Sequence, residues 1–388
     1  MMKSSKITMY LLAVLTLLGC NTISELKLQS TADSTINEET TIPFRYTKKL
    51  IVVDAYLNNS TKANSFIFDT GAFQSKVEYQ LSQELKLNTV ATRNNGTAQG
   101  VKREIEITSL DAIKLSKSTF YNISAGKLKY DQKSYSPCIA EDGIIGANLI
   151  KLAHWKIDYQ KKEMFVSEKP ILVNSDNKKY DIDFNTSFLS GIPEIDIEIN
   201  GQLIKDVIFD LGYNGGLVVP YRFAEKFHSA KTQTIIDQST AGIFGSNRDT
   251  LVVKQLEAKI GDFKTILPVE FSSLNKALLG NDFLEHFTVY IDYTNKKIIL
   301  ESIEAVAIDK PKTFIPGILN DSLWIVNRTS PELPLKIGDT LQTINGYQPK
   351  DLFDFHCDYF LKISELLTSE SLLVETIQGN EIQINSYK

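Results

Sequence analysis

Two aspartates, Asp69 and Asp210, lie in closely similar sequence surroundings. The segment SFIFDTGAF (residues 65–73) carries the first, and DVIFDLGYN (residues 206–214) carries the second. In both, an aromatic residue precedes the aspartate and a glycine follows two positions later. Two carboxyl groups held about 3 Å apart cannot both ionise, so they share one proton and can act on water as a base and an acid. The pair is therefore a candidate for acid–base hydrolysis.

Each aspartate is followed at a similar distance by a second shared motif, two aliphatic residues and a glycine. Gly146 lies 77 residues after the first aspartate, and Gly280 lies 70 residues after the second. Around these glycines, residues 144–165 align without a gap to residues 278–299. We infer that the chain contains one duplicated unit of about 130 residues, which is too few copies for a solenoid.

The elements that must position these motifs are predicted to be short β-strands. Residues 50–57 and 195–199 alternate in polarity and end at turn-forming pairs, which is typical of hairpins. Short helical stretches are expected at residues 77–87 and 221–227. Because no βαβ alternation is present, each repeated unit is predicted to be an all-β sandwich or barrel.

The first aspartate loop, with Thr70 and Gly71, resembles the catalytic loop of pepsin-like and retropepsin-like aspartic proteases. The aliphatic-glycine motifs resemble the companion motif of that family. The resemblance extends over residues 41–302. It implies a mainly β protein with two homologous β-barrel lobes, residues 41–172 and 173–302, around a shared cleft.

In that family each lobe supplies one catalytic aspartate. The resemblance therefore implies that Asp69 and Asp210 are catalytic and that Thr70, Gly71 and Gly212 support the two loops. The implied reaction is endoproteolysis of an extended polypeptide by a water activated between the aspartates, without a cofactor. The glycines would allow tight turns in which backbone N–H groups approach the carboxylates.

The second loop departs from the family pattern. Leu211 replaces the expected threonine or serine, so the hydroxyl that should mirror Thr70 is missing. Tyr213 replaces a small residue and is expected either to line the cleft or to pack beside Leu211. Two functions therefore stay open: an aspartic endopeptidase, and a weak or inactive peptide-binding lipoprotein that keeps the same cleft. A glycosidase with a carboxylate pair is a third class, which the duplicated pattern disfavours.

The last segment, residues 303–388, lies beyond the repeat. Residues 335–346 resemble the strand-turn segment of bacterial PDZ domains, and a helix at 352–367 with strands at 371–377 and 381–385 is predicted to complete a small α+β domain. PDZ domains bind extended peptides at an open sheet edge. The alternative is a packing module that only stabilises the lobes.

The N-terminus has the layout of a secretory signal. Residues 1–19 combine a basic start with a short apolar run, and the following Cys20 completes a segment that resembles a bacterial lipobox. We expect lipidation at Cys20, a polar tether over residues 20–40, and a lipid-anchored protein of the bacterial cell envelope. The alternative is an ordinary cleaved signal with an incidental cysteine.

Composition limits the partners. The chain of 388 residues carries a formal net charge of -5, which argues against nucleic acid because phosphate binding needs a concentrated basic surface. Cys138 and Cys357 lie far apart in separate predicted domains and are expected to be two buried thiols. The four histidines show no metal-ligand spacing, so no metal site is predicted, and the protein is expected to be a monomer.

Other chemically suggestive residues have structural explanations. Asp158 and Asp292 occur at matching places in both copies and are expected to serve strands and turns. Four glycines mark either flap hairpins over the cleft or simple turns: Gly96, Gly100, Gly242 and Gly245.

Overall fold

The computed structural model describes most of the chain after residue 26. The described residues are 27–28, 30–37, 40–96, 102–132, 134–186, 190–229, 231–239, 241–243, 245–246, 248–320, 322–369 and 371–385. The predicted signal segment, Cys20 and Gly100 lie outside them.

The first half of the fold is built of short strands and three short helices, of which one lies within the helical stretch predicted at residues 77–87. The strands are β1 Asp33–Thr35, β2 Thr40–Thr47, β3 Leu50–Leu57, β4 Ala63–Phe68, β5 Ser75–Glu78, β6 Ala91–Gly96, β7 Lys102–Leu115, β8 Ser118–Leu128, β9 Gly143–Ile145, β10 His154–Asp158 and β11 Glu163–Ser167. The helices are α1 Tyr79–Glu84, α2 Ser136–Ile139 and α3 Ala147–Ile150.

The second half is likewise mostly strand. The strands are β12 Lys179–Thr186, β13 Pro193–Ile199, β14 Gln202–Phe209, β15 Leu217–Pro220, β16 Thr232–Asp237, β17 Ala241–Gly242, β18 Gly245–Ser246, β19 Asp249–Ile260, β20 Phe263–Ser272, β21 Leu278–Leu279, β22 Phe287–Asp292 and β23 Lys297–Ser302. A 3₁₀ helix, Tyr221–Lys226, and a helix α4, Asn281–Leu284, complete it. The prediction of a mainly β protein is confirmed.

Strand pairing around the first aspartate loop recurs around the second. β4 runs parallel to β9, with Phe68 opposite Ile145, and β14 runs parallel to β21, with Phe209 opposite Leu279. β5 pairs antiparallel with β9 and parallel with β8, as β15 does with β21 and β20. The short aliphatic strand of each companion motif therefore lies directly beside the strand that leads into an aspartate.

A shared sheet joins the two halves. β10 pairs antiparallel with β22, and β2, β11, β23 and β12 extend this sheet on both sides. One hydrophobic cluster continues through both halves and includes fully buried Trp155, Phe209 and Leu211. Burial of this size is the main favourable term in folding, and it fixes the two aspartate loops relative to each other.

The C-terminal unit, which follows β23, has its own small core. Its strands are β24 Ile315–Leu319, β25 Leu323–Thr329, β26 Thr340–Ile344, β27 Ser371–Thr376 and β28 Glu381–Asn385, and its helices are α5 Pro349–Leu352 and α6 His356–Leu366. The single helix predicted at 352–367 is thus two helices. The core of this unit surrounds Trp324 and Leu341.

This unit docks onto both halves. β25 pairs antiparallel with β16, with Asp237 opposite Arg328 and Ile236 opposite Thr329. On the other side, the ring of Tyr135 stacks on His356 at 4.3 Å between centroids.

The expectation that Cys138 and Cys357 are separate thiols is wrong. They form a disulfide with a Cα–Cα distance of 5.2 Å across 219 residues of sequence. The physical reason is that α2 of the first half packs against α6 of the C-terminal unit, so docking brings together two residues from predicted separate domains. Their separation in sequence gave no information on that contact.

Within the part of the chain that the structure describes, no helix is long and apolar enough to cross a membrane.

Candidate active site

The aspartate loops are held by the companion motifs. The backbone N–H of Asp69 donates to the carbonyl of Ile145 at 2.9 Å, and the N–H of Asp210 donates to the carbonyl of Leu279 at 2.9 Å. These are equivalent bonds in the two halves. They explain why each aspartate needs an aliphatic-glycine segment downstream: that segment supplies the strand beside the loop.

The structure brings the two aspartates together. A hydrogen bond joins the side chains of Asp69 and Asp210. The N–H of Ala72 donates to Asp69 Oδ1 at 2.8 Å, and the N–H of Gly212 donates to Asp210 Oδ1 at 2.8 Å. The N–H of Gly71 contributes a further hydrogen bond that favours both carboxylates. Each loop therefore surrounds its carboxyl group with backbone donors.

The two loop glycines are required for this close approach. A Cβ added at Gly71 would lie 2.5 Å from Asp210 Cγ, and a Cβ added at Gly212 would overlap the carboxyl group of Asp69. Each glycine therefore faces the aspartate of the opposite half. Only a residue without a side chain leaves room for the pair.

Thr70 links the two halves through a buried hydroxyl group. Its Oγ1 donates to the carbonyl of Phe209 at 2.6 Å and accepts from the N–H of Leu211 at 2.9 Å. Leu211 offers no hydroxyl in return, and its side chain is fully buried in the core. Thr70 of the first half therefore makes the hydroxyl link between the two loops alone, and the second half supplies no matching hydroxyl.

Asn281 adds support to the second loop that sequence reasoning missed. This fully buried residue donates from Nδ2 to the carbonyl of Leu211 at 2.8 Å. Its Oδ1 accepts from the hydroxyl of Tyr159, in the first half, at 2.7 Å. A signal existed: Asn281 directly follows the glycine of the companion motif, where the first copy has Ala147.

The two carboxyl groups have different electrostatic surroundings. Burial raises the pKa of Asp210 well above its ordinary value, and the charge of Asp69 raises it further. Burial also raises the pKa of Asp69, but the positive charge of Lys76 opposes that rise. A proton shared by the pair therefore favours Asp210 and leaves Asp69 as the carboxylate.

Lys76 is a second residue that sequence reasoning missed. It lies on β5 with 6% of its surface exposed, and its Nζ donates to the carbonyl of Gln74 at 3.3 Å. Burial lowers the pKa of its ammonium group, while the charge of Asp69 opposes that shift. A lysine just before a predicted helical stretch gave no reason to expect a buried charge beside an aspartate.

The carboxyl pair opens into a cavity of about 910 Å³. Both halves line it, and so does the C-terminal unit through Ile315, Arg328 and Phe360. Cavities of this size, with apolar walls and a few convergent polar groups, are the usual places for ligands.

Two hairpins reach this cavity. The hairpin of β6 and β7 contributes Asn95 and Gly96, and the turn between β17 and β18 contributes Ile243. Gly242 and Gly245 pair with each other at the base of that second turn. The interpretation of these glycines as parts of flap hairpins agrees with this placement.

Tyr213 lines the cavity, so the first of its two expected positions is the observed one. Asp158 and Asp292 serve turns, as expected. Asp158 Oδ1 accepts from the N–H of Lys161 at 3.0 Å, and Asp292 Oδ1 accepts from the N–H of Asn295 at 2.9 Å. The described residues contain no group of three or more side chains that could hold a metal ion.

A mainly β fold whose cavity holds a hydrogen-bonded carboxyl pair defines a class of candidate hydrolases that work by acid–base chemistry. Residues 53–149 match the family model described as aspartyl protease. The match contains the Asp69 loop and the first companion motif, whereas Asp210 lies outside it. No curated protein matches the chain.

Proposed function

We propose that the protein is an aspartic endopeptidase that hydrolyses peptide bonds of extended polypeptides. The observation that carries this proposal is the hydrogen-bonded pair Asp69 and Asp210 on the wall of a cavity of about 910 Å³. The family match of residues 53–149 supports it independently. No cofactor is part of the proposal.

The electrostatics assign a role to each carboxyl group. Asp69, whose ionised form Lys76 favours against the effect of burial, accepts a proton from the attacking water. Asp210, whose raised pKa keeps it protonated, donates to the carbonyl oxygen of the substrate. The tetrahedral intermediate collapses when Asp69 passes its proton to the leaving nitrogen and Asp210 takes back the proton it gave to the oxygen, which breaks the C–N bond without a covalent enzyme intermediate.

The finer architecture is part of the same proposal. The recurring strand pairing supports two homologous retropepsin-like lobes, residues 41–172 and 173–302, and a PDZ-like domain at 303–388. We place the protein, as a monomer, in the bacterial cell envelope with a lipid anchor on Cys20, and we propose no nucleic-acid partner. The stacking of Tyr135 on His356 and Phe360 supports a role for the PDZ-like domain in closing the cavity.

A peptide-binding protein with weak or absent hydrolysis is the second candidate. Leu211 favours it, because the hydroxyl link between the two aspartate loops comes from Thr70 alone. Catalytic groups need placement within about 0.5 Å of their productive geometry. Against this candidate, Asn281 adds a second buried link between the second loop and the first half.

The test is cleavage of a denatured polypeptide mixture by the purified protein between acidic and neutral pH. We expect Asp69→Asn and Asp210→Asn each to abolish cleavage. Asp158→Asn is the matched control, because that aspartate serves a turn outside the cavity and cleavage should persist. Cleavage that survives either dyad substitution refutes the peptidase. No cleavage by any form, together with retained peptide binding, supports the second candidate.

A further inference from the structure

Glu270 is a cavity residue that the proposed chemistry does not use. It lies on β20, in register with Val218 of β15, and lines the cavity that contains the carboxyl pair. Among the described residues, no hydrogen bond reaches its carboxyl group. Glu270 is half-buried, so its carboxyl group can accept a hydrogen bond from a ligand in the cavity.

The nearest cation is already engaged. Arg328 comes from the C-terminal unit, and its Nε donates to Asp237 Oδ1 at 2.8 Å. The side chains of Arg328 and Asp237 are 13% and 3% exposed, so this is a buried ion pair. Burial raises the pKa of Glu270 to about 7, although the positive charge of Arg328 opposes that rise. A cation brought by a ligand would favour the ionised form of Glu270.

The carboxyl group also lies close to the reacting pair. Burial raises the pKa of Tyr213, and the charges of Glu270 and Asp210 raise it further, so the tyrosine lies near both carboxyl groups. Tyr213 lines the same cavity. Asp210 and Glu270 line it as well, so a substrate bound at Asp210 can present a side chain to Glu270.

The first half has different chemistry at the equivalent position. In the second half, Val218 of β15 stands opposite Glu270 of β20. In the first half, the equivalent residues are Lys76 of β5 and Gly126 of β8. Thus the buried Lys76 lines the cavity in the first half, and the half-buried Glu270 lines it in the second. The two halves therefore offer charges of opposite sign at these positions.

We propose that Glu270 forms a subsite for a basic side chain, lysine or arginine, of the polypeptide substrate. This inference rests on the proposed peptidase function and adds its selectivity. The aliphatic part of a lysine would lie along Val218 and Leu278, which line the same cavity, and its ammonium group would donate to Glu270. The Arg328–Asp237 pair leaves the carboxylate of Glu270 free to accept.

The test uses peptides identical except at one residue beside the cleaved bond. Lysine, norleucine or glutamate stands on the amino side in one set and on the carboxyl side in the other. In one set we expect kcat/KM for lysine to exceed that for norleucine on the order of 10- to 100-fold, as for a charge-assisted hydrogen bond. Glu270→Gln should reduce that ratio to near one while norleucine peptides are still cleaved.

Two further variants sharpen the result. Glu270→Asp keeps the charge and should retain part of the preference for lysine. Glu257→Gln is the control, because this glutamate of the neighbouring strand is outside the cavity and pairs with Lys264 at 2.9 Å. The preference should be unchanged in it. Absence of a lysine preference in both peptide sets, or a preference that survives Glu270→Gln, overturns the subsite.

A binding measurement separates this inference from the proposed function. In the Asp69→Asn background, fluorescence anisotropy of labelled peptides should show tighter binding of the lysine form than of the norleucine form, and Glu270→Gln should remove the difference. If no peptide is cleaved but this difference is present, the subsite stands and the peptidase fails. Equal binding of the two forms refutes the subsite whether or not cleavage occurs.

Discussion

The disulfide between Cys138 and Cys357 allows the sharpest quantitative prediction. It ties α2 of the first half to α6 of the C-terminal unit and closes a loop of 219 residues. Replacing both cysteines by alanine removes the crosslink. On the loop-entropy model, a crosslink over this length lowers the entropy of the unfolded chain by about 18 cal/mol/K, or about 5 kcal/mol at 25 °C. We expect the double variant to lose between about 2 and 5 kcal/mol of unfolding free energy.

The two tryptophans provide the assay. Trp155 is fully buried in the core shared by the two halves, and Trp324 is fully buried in the core of the C-terminal unit. Trp324→Phe leaves Trp155 as the fluorescent reporter, and Trp155→Phe leaves Trp324. Unfolding in guanidinium chloride can thus be followed separately in each core. In the crosslinked protein the two transitions should coincide, whereas without the disulfide the Trp324 transition should move to lower denaturant.

Reduction supplies the control. Cys138 and Cys357 are both half-buried, so a small dithiol can reach them. Treatment of the wild-type protein with such a reductant should reproduce the midpoints of the double alanine variant, and the variant itself should not respond. Unchanged midpoints in the double variant, at both reporters, would refute the view that this crosslink holds the C-terminal unit in place.

Three further predictions concern the active site. Thr70→Val should lower the unfolding free energy by about 2 to 4 kcal/mol, because it leaves the Leu211 N–H and the Phe209 carbonyl without their buried partner. Thr70→Ser keeps the hydroxyl and should be nearly neutral. If denaturant unfolding shows the same loss of free energy for both variants, this reasoning is wrong. Lys76→Met should move the acid limb of the kcat/KM profile to higher pH: Lys76 holds the pKa of Asp69 down, so without it Asp69 ionises only at higher pH. An unmoved limb would show that the Lys76 charge does not act on the pair. Leu211→Thr should raise kcat/KM by restoring the second hydroxyl. It should also lower the unfolding free energy by about 2 kcal/mol, because a fully buried leucine is lost. No gain in kcat/KM would show that the missing hydroxyl does not limit activity.

The sequence was informative where the signal is local. The aspartate loops and the aliphatic-glycine segments are short motifs whose backbone geometry depends on neighbouring residues. Asp69, Asp210, Gly71 and Gly212 all line one cavity. Thr70 lies between the two halves, where its loop position predicted it. The strand content followed from alternating polarity and turn residues.

The sequence was uninformative where docking decides the outcome. Arg328 reaches the cavity only because β25 pairs with β16, and no pattern within either strand specifies that pairing. The Cys138–Cys357 disulfide depends on the same docking. Glu270 and Lys76 look like ordinary strand residues in the sequence. Their burial depends on which sheet edge is covered, and that is a property of the assembled fold.

The two aspartates are not equivalent, because the two halves differ in the residues around them. Identical halves would give both carboxyl groups the same surroundings, and neither would be the preferred carrier of the shared proton. Here Lys76 favours the ionised form of Asp69, whereas the second half has valine at that register position and a carboxyl group at Glu270. Negative charge near Asp210 opposes its ionisation. Replacing Lys76 should therefore shift the preferred position of the shared proton, whereas replacing Glu270 should change substrate choice and leave the proton on Asp210.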